Sequence, residues 1–518
     1  MTGDGLNATI ALATKKEGTV QDADRIPVII GVGQVNDRPA TPEAGLDSLG
    51  LMAASLRAAD DDAGGSWLSR LDSLAVVDQM SFRALGDVSA PLAELLGATP
   101  RLCYKTAYPM GDSPVRLLNE AANRIGAGEI QVAAVAGGEA LRTAAQRAAA
   151  SAGTDPAAHN ALREAAARRP PSYRQLYGLA TPVDIYPLYE NAGRAAYGQS
   201  LAEAQGESAE IWARFSAVAA GNPHAWIRKQ ASVEDILTPS ADNRPIAFPY
   251  TKLMVANASV NQGAGFIVAS LAAARARGIP EERLVYVGRG AAAQEPVDYL
   301  ARDRFDRSVS MEVSLRRALD LNGLTVEDLD LAELYSCFPC VPKMARRVLG
   351  WPVERPASVF GGLTFGGGPI GNYMSHAIAS MVERLRRDGR YGLLFGNGGY
   401  ATSNHSIVLS RTPLLAGTFP QDFDCQAEAD AQRGPIPPLD EAYAGPGRIE
   451  TYTVFYDRDG SPRAGVVVAR NPAGVRFLAK VPGEDAAAID FLTDGRAEPV
   501  GTDGEAVVGE GGLRPWRR

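Results

Sequence analysis

The chain has 518 residues, 46% of them hydrophobic and 22% charged, with a formal net charge of −8. That balance is ordinary for a soluble globular protein, and the length implies about three packing units. Negative charge without a Lys/Arg block argues against nucleic acid as a partner. Four cysteines are too few for a secreted disulfide scaffold, so a reducing cytoplasm is the expected compartment. No apolar run reaches the ~18 residues that span a bilayer.

Residues 1–25 mix Thr, Gly, Lys, Asp and Glu without the apolar stretch of a signal peptide, and are expected to be a flexible tail. The run from Ile26, IPVIIGVG, is β-branched and apolar on both faces, as a buried parallel strand should be. A helix is expected over 46–59 and a strand over 73–78. Between 108 and 140 the pattern reads turn, helix, short loop, buried strand, paired glycines. Strands alternating with helices predict an α/β architecture. Residues 140–250, rich in Ala, Arg, Glu and Gln, predict a mostly helical insertion. Strand and helix character returns over 252–278 and 284–288. Helices are expected over 313–319, 342–349 and 375–387, and a strand over 392–396. The plan helix, loop, apolar strand, paired glycines occurs twice, from Val115 and again from Ser375, which suggests a duplicated unit. After Thr412 a Pro/Gly-containing loop leads into alternating β patterns. There the pair Asp459-Gly460 signals a hairpin.

Glycine-rich turns stand at strand ends, yet none fits a dinucleotide fingerprint, and a P-loop is absent. Cys337 and Cys340 form a C-x-x-C, but no second pair completes a four-ligand site, so no metal is expected. The segments GDSPVRLLNEAANRIGAGEIQVAAVAGGEA, ENAGRAAYG with NPHAW, NASVNQGAG, ELYSCF, FGGLTFGGGPIGN and FGNGGY follow one another in the chain. In that order they resemble the thiolase superfamily, closest to its sterol-carrier-protein-type members and thiolase-like proteins of type 1. The resemblance covers roughly residues 26–412. It implies a duplicated five-layered αβαβα thiolase fold, with halves at 26–139 plus 251–282 and at 283–412. A helical loop domain would occupy 140–250. Residues 413–518 resemble the additional C-terminal domain of type-1 proteins and imply a small OB-like β-barrel.

The same resemblance assigns functional positions. Gly111 stands where thiolases place a cysteine nucleophile at a helix N-terminus, a setting that favours the thiolate. Gly368 stands at the histidine of the glycine loop, Gly396 at the acid/base cysteine, and Tyr335 at the oxyanion-positioning asparagine or histidine. Ordinary covalent thiolysis or Claisen condensation therefore lacks its side chains, a loss of ~10⁴–10⁶ in rate for triad-like groups. Tyr335, Tyr400 and Ser113 are the remaining catalytic candidates. Ser113 also reads as the N-cap of the helix, with Pro114 at its first position. Asp112, Asn261, Ser336, Cys337 and Gly398 complete the expected pocket with the three glycines. His376 and His405 follow the glycine loops and are expected on a helix and a strand, away from the loop tips.

By resemblance the ligand is a coenzyme A thioester, bound as substrate rather than as a resident cofactor. The family-level activity is acyl transfer of the acetyl-CoA acetyltransferase kind. Two other readings stand beside it: a tyrosine-dependent retro-aldol lyase acting on β-hydroxyacyl-CoA, and a non-catalytic acyl-CoA carrier or scaffold. The expected assembly is a homodimer or a monomer.

Overall fold

The computed structural model describes residues 22–152, 171–414 and 418–518. Most of the expected tail (1–21) and part of the expected insertion (153–170) lie outside the described residues. Residues 22–25 are not loose: they form a short helical turn, and Arg25 donates to the Gly126 carbonyl at 2.9 Å.

The first strand, β1 (Pro27–Asn36), is buried along eight consecutive residues, as its two-sided apolar pattern requires. It is not the parallel strand expected: both of its neighbours in the sheet pair with it antiparallel, and its burial comes from the helices packed over it. Helix α1 (Ser48–Asp62), capped by Asp47, lies directly on it. The approach is close because β1 carries glycine where the helix crosses. A Cβ at Gly31 would sit 2.1 Å from the Ala59 carbonyl oxygen, and one at Gly33 would sit 2.1 Å from that of Ser55. The chain continues through β2 (Ser73–Val76), α2 (Ser89–Leu95), β3 (Leu102–Lys105), α3 (Ser113–Ala127), β4 (Val132–Ala140) and α4 (Leu141–Ala152). The insertion follows, with α5 (Tyr173–Leu176), α6 (Pro182–Ala196), α7 (Leu201–Gly221), α8 (Val233–Leu237), and the short strands β5 (Pro245–Ala247) and β6 (Tyr250–Thr251). Then come β7 (Asn261–Ser270), α9 (Leu271–Ala276), β8 (Val285–Gln294), α10 (Val309–Asp320), β9 (Leu331–Leu334), α11 (Cys340–Leu349), α12 (Tyr373–Arg387), β10 (Tyr391–Gly398) and β11 (Ser403–Ser410).

One nine-stranded sheet has the order β3-β2-β4-β7-β1-β8-β11-β10-β9. Its centre is a narrow seam: β1 meets β8 through only Val28–Tyr286 and Ile29–Val285. Outward from that seam the two sides repeat each other. β1, β7 and β4 pair antiparallel and β2 then joins parallel; β8, β11 and β10 pair antiparallel and β9 joins parallel. The first side adds β3. Helices α3 and α12 touch each other and strands of both sides, while α1 covers the outer face of the first and α10 that of the second. The layers are therefore helix, sheet, helix, sheet, helix, the expected duplicated five-layered αβαβα plan.

The remaining chain forms α13 (Gln426–Gln432), β12 (Gly445–Tyr456), β13 (Pro462–Arg470), β14 (Arg476–Pro482), α14 (Ala486–Thr493), β15 (Asp503–Ala506) and β16 (Trp516–Arg517). The hairpin turn falls between β12 and β13, at the Asp459-Gly460 pair. The sheet order is β14-β13-β12-β15-β16, and a single parallel bridge from Lys480 to Pro515 brings its two ends together. Unforeseen in the sequence, β5 and β6 of the insertion belong to this sheet, with Ala247 opposite Phe455. Helix α6 also grips β12: the Thr451 hydroxyl donates to the Leu188 carbonyl (2.5 Å), and Asn191 donates to that of Tyr452 (2.9 Å). Arg476, fully buried, donates to Glu450 at 2.6 and 2.7 Å and to the Arg302 carbonyl at 2.7 Å. An unpaired charge there would be strongly destabilising, so Glu450, in the same sheet, holds Arg476 in place, and the bond to the Arg302 carbonyl ties that sheet to the rest of the chain.

Candidate active site at the head of α3

The turn before α3 is built by its own residues. The Ser113 amide donates to the Met110 carbonyl (3.0 Å), and the Ser113 hydroxyl accepts from the Met110 amide (3.2 Å). Pro114 occupies the first turn, where its missing N–H costs nothing. The helix starts one residue earlier than expected. Ser113 is its first residue rather than its cap, and Asp112 holds the cap position without making a capping bond.

Asp112 turns elsewhere. One carboxylate oxygen accepts from the Ser403 hydroxyl at 2.5 Å, and the other has no hydrogen-bond partner among the described residues. The side chain is buried, and burial raises its pKa against the opposing pull of Ser403 and Arg116. A cavity of about 330 Å³ reaches it, lined also by Arg116, Ser403, His405 and, from the C-terminal segment, Phe423 and Asp424.

Next to Asp112, Gly111 has no room for a side chain. A Cβ there would lie 2.1 Å from the Asn397 carbonyl oxygen and 2.4 Å from the Tyr335 hydroxyl. Tyr335 is buried and packs edge-on against Tyr373 at 5.6 Å. The Tyr373 hydroxyl donates to Glu333 at 2.7 Å, and Glu333 also accepts from Ser358 and the Val359 amide. This buried carboxylate therefore orients the ring that orients Tyr335. Burial, with Cys337 and Asp112 nearby, raises the Tyr335 phenol well above its usual range. At neutral pH it is a hydrogen-bond donor, not a phenolate.

Gly396 and Gly398 border the same spot: a Cβ on Gly396 would lie 2.9 Å from the Asp112 Cα, and one on Gly398 would lie 2.8 Å from the Asp112 carboxylate. Between them, the Asn397 amide donates to Asn404 (2.8 Å). Gly368 lies further out. Its amide donates to the Asn257 carbonyl at 2.8 Å, and a Cβ there would meet nothing nearer than 3.3 Å. Its loop still reaches the α3 turn, because Gly371 lies against the backbone of Pro109.

Tyr400, Asn261 and Ser336 make their contacts away from this cluster, while Cys337 lies near Tyr335. The half-buried ring of Tyr400 packs against Tyr299 at 5.2 Å, while its carbonyl accepts from Tyr189 and Arg302. Asn261 ties the start of α4 to the end of β1, accepting from the Thr143 amide and donating to the Asp37 carbonyl. Ser336 accepts from the Leu363 amide at 3.2 Å. Cys337 and Cys340 are buried free thiols; burial pushes Cys337 up to about 12. No group of three or more metal-ligating side chains occurs among the described residues. His376 on α12 and His405 on β11 are both buried, and burial pushes each down to about 3.

Sequence reasoning missed Tyr186, Ser403 and the role of Glu333. Tyr186, from the insertion, donates to the Gly399 carbonyl (2.9 Å) and accepts from the Ala401 amide (3.2 Å). The only hint was a Tyr pair, Tyr186 and Tyr189, on one face of α6.

The duplicated sheet with its centre at the head of α3 is that of the thiolase class. Human mitochondrial 3-ketoacyl-CoA thiolase in complex with CoA superposes with a TM-score of 0.56 at 14% identity, covering 76% of this chain and 99% of that one. An Ltp2-ChsH2(DUF35) aldolase gives 0.56 at 19% identity over 74% and 98%. A monomeric SCP2-thiolase like protein type 1 from Mycobacterium smegmatis gives 0.79 at 32% identity over 95% and 99%. The family described as the thiolase-like protein type 1 additional C-terminal domain matches residues 424–509. No curated protein matches the sequence. The chain belongs to the SCP2-thiolase like protein type 1 family.

Proposed function

We propose that the protein handles acyl-CoA thioesters by acid–base chemistry at the head of α3, without a covalent acyl-enzyme. The supporting observation is the crowding of Gly111: a nucleophilic side chain at that position would collide with a backbone carbonyl and the Tyr335 hydroxyl. One residue on, Asp112 offers a buried carboxyl whose raised pKa moves it toward the operating range of a general base. A retro-aldol cleavage of a β-hydroxyacyl-CoA fits those two groups. Asp112 takes the β-hydroxyl proton, the Cα–Cβ bond breaks, a carbonyl product leaves, and the electron pair moves onto the thioester as an enolate. The neutral Tyr335 hydroxyl donates to the enolate oxygen until the protonated Asp112 gives its proton to Cα, which restores the carboxylate and releases the shortened acyl-CoA. A CoA-bound thiolase and an aldolase among the structural neighbours agree with this reading. Tyr400, with its ring on Tyr299, and Ser113, whose hydroxyl accepts from Met110, have no part in it.

The test is incubation of the purified protein with β-hydroxyacyl-CoA esters and detection of the released carbonyl compound. Tyr335→Phe and Asp112→Asn should each lower turnover by about 10²-fold or more. Unchanged turnover in both variants rejects the mechanism. Binding without any turnover leaves the carrier reading instead. Thiolysis by the wild type would restore the acyltransferase reading. The M. smegmatis relative is described as monomeric; we take the same state here, and light scattering should return the chain mass of 54.6 kDa.

A further inference from the structure

A second cavity, of about 620 Å³, runs along the outer side of α12 between the end of α7, Asp62 of α1 and Arg283 ahead of β8. It does not include Gly111, Asp112 or Tyr335. Its volume is that of a site for a small molecule. Four arginines line it, Arg283, Arg384, Arg386 and Arg387, against two carboxylates, Asp62 and Glu383. On a chain with a net charge of −8 this is a local reversal of sign.

The cations are not equivalent. Arg386 is fixed: it donates to Asp62 (2.7 Å) and to the carbonyls of Arg283 (2.8 Å) and Ile30 (3.0 Å). Asp62 also pairs with Arg283 at 2.5 Å, so this one carboxylate serves two guanidinium groups. Arg384 pairs with Asp388 at 2.9 Å. Arg387 is exposed and makes no hydrogen bond or close ion pair among the described residues, its charge acting at longer range on Glu383 and Asp388. At the floor, Ser380 is 2% exposed. Its hydroxyl oxygen accepts from Gln34 (3.3 Å) and Asn222 (3.4 Å), and its own proton has no acceptor among the described residues. Gln34 is held in turn by His376 at 2.9 Å. The floor thus presents a fixed hydroxyl donor beneath an excess of guanidinium charge, the combination that suits a phosphate oxyanion.

We propose that this groove binds a phosphorylated small molecule, with its phosphate oxygens held by Arg387, Arg283 and the Ser380 hydroxyl. The proposal does not depend on the acid–base reading of the α3 centre. The phosphate has two possible sources, a free nucleotide or the nucleotide half of a CoA.

Calorimetry on the full-length protein with inorganic pyrophosphate, ADP and CoA tests it. Pyrophosphate and ADP should bind, with affinity falling as salt rises. Arg387→Ala and Ser380→Ala should each weaken both by about tenfold. Arg387 is exposed, so Arg387→Ala should leave the thermal midpoint unchanged. Arg448→Ala, on the C-terminal sheet, should leave binding as it is. Equal affinities for ADP and CoA, lost together in Arg387→Ala, identify a free nucleotide as sufficient. Tighter CoA binding that also depends on Arg387 identifies the CoA nucleotide half. The proposal is overturned if neither pyrophosphate nor ADP binds, if CoA alone binds, or if both Arg387→Ala and Ser380→Ala leave the affinities unchanged.

Discussion

By resemblance Gly111 and Gly368 stand in for two side chains of one catalytic centre, yet their surroundings differ. At Gly111 a Cβ would enter a backbone carbonyl at 2.1 Å and a tyrosine hydroxyl at 2.4 Å. At Gly368 the nearest atoms, both carbonyl oxygens, stand 3.3 Å away. The first position is built over, while the second is tight by only a few tenths of an ångström. Gly111 is packed shut, while the buried Asp112 carboxyl beside it keeps one oxygen unpaired among the described residues, the contrast on which the proposed acid–base chemistry rests.

The largest effect that would break this contrast is at Gly111 itself. Gly111→Cys should destabilise by about 3 kcal/mol or more, because overpacking against backbone finds no easy relief. Urea unfolding measures it, and a loss under ~1 kcal/mol would show that the centre can reopen. The histidines around the two loops give an effect that is absent at neutral pH and grows with acidity. His376 and His405, pushed down from 6.5 to about 3, stay neutral in the native state while the unfolded chain takes up protons. Stability from each is therefore intact above pH 6.5. It falls by about 1.4 kcal/mol per pH unit as pH drops toward 3. Unfolding curves between pH 7 and 4 should show that slope, and His405→Gln should reduce it.

Asp112 gives a smaller effect with the opposite sign. Its native pKa is raised, so the native state holds a proton that the unfolded chain releases above 3.8. Its contribution is present at low pH and lost as pH climbs through the native value. Asp112→Asn should flatten that part of the stability profile. An unaltered slope would mean that burial does not govern this carboxyl. The smallest change is expected at Gly368→Ala, under about 1 kcal/mol by the same unfolding measurement, since a few tenths of an ångström of movement accommodates the methyl. A loss as large as that of Gly111→Cys would erase the difference between the two positions.

Much of the fold was legible in local pattern. Two-sided apolar runs marked the central strands β1, β4 and β7. The repeated helix–loop–strand–glycine plan marked the two sides of the sheet, and Asp459-Gly460 marked the β12–β13 hairpin. Among strands of four residues, β2 carries a continuous apolar run and is read from the sequence, whereas β3 (LCYK) and β9 (LAEL) are broken by polar residues and escape. The candidate site was legible only in part. Motif order led to Gly111, Tyr335 and Gly396, which do converge. Tyr400 and Asn261 came from the same reasoning and fall elsewhere, because adjacency to a motif does not fix the direction of a side chain.

The sequence by itself determined the class of fold, the duplication, the additional C-terminal segment and the glycines at the head of α3, since each is written in local periodicity or in residue identity. Tertiary structure alone decided the rest. It set Tyr335 over Gly111, freed one oxygen of Asp112 while Ser403 held the other, wove β5 into the C-terminal sheet, and gathered four arginines along α12. Those arrangements depend on contacts between residues up to some hundreds of positions apart, such as Asp112 with Ser403 and Asp62 with Arg386. Only the packing of the layers brings such pairs within bonding distance.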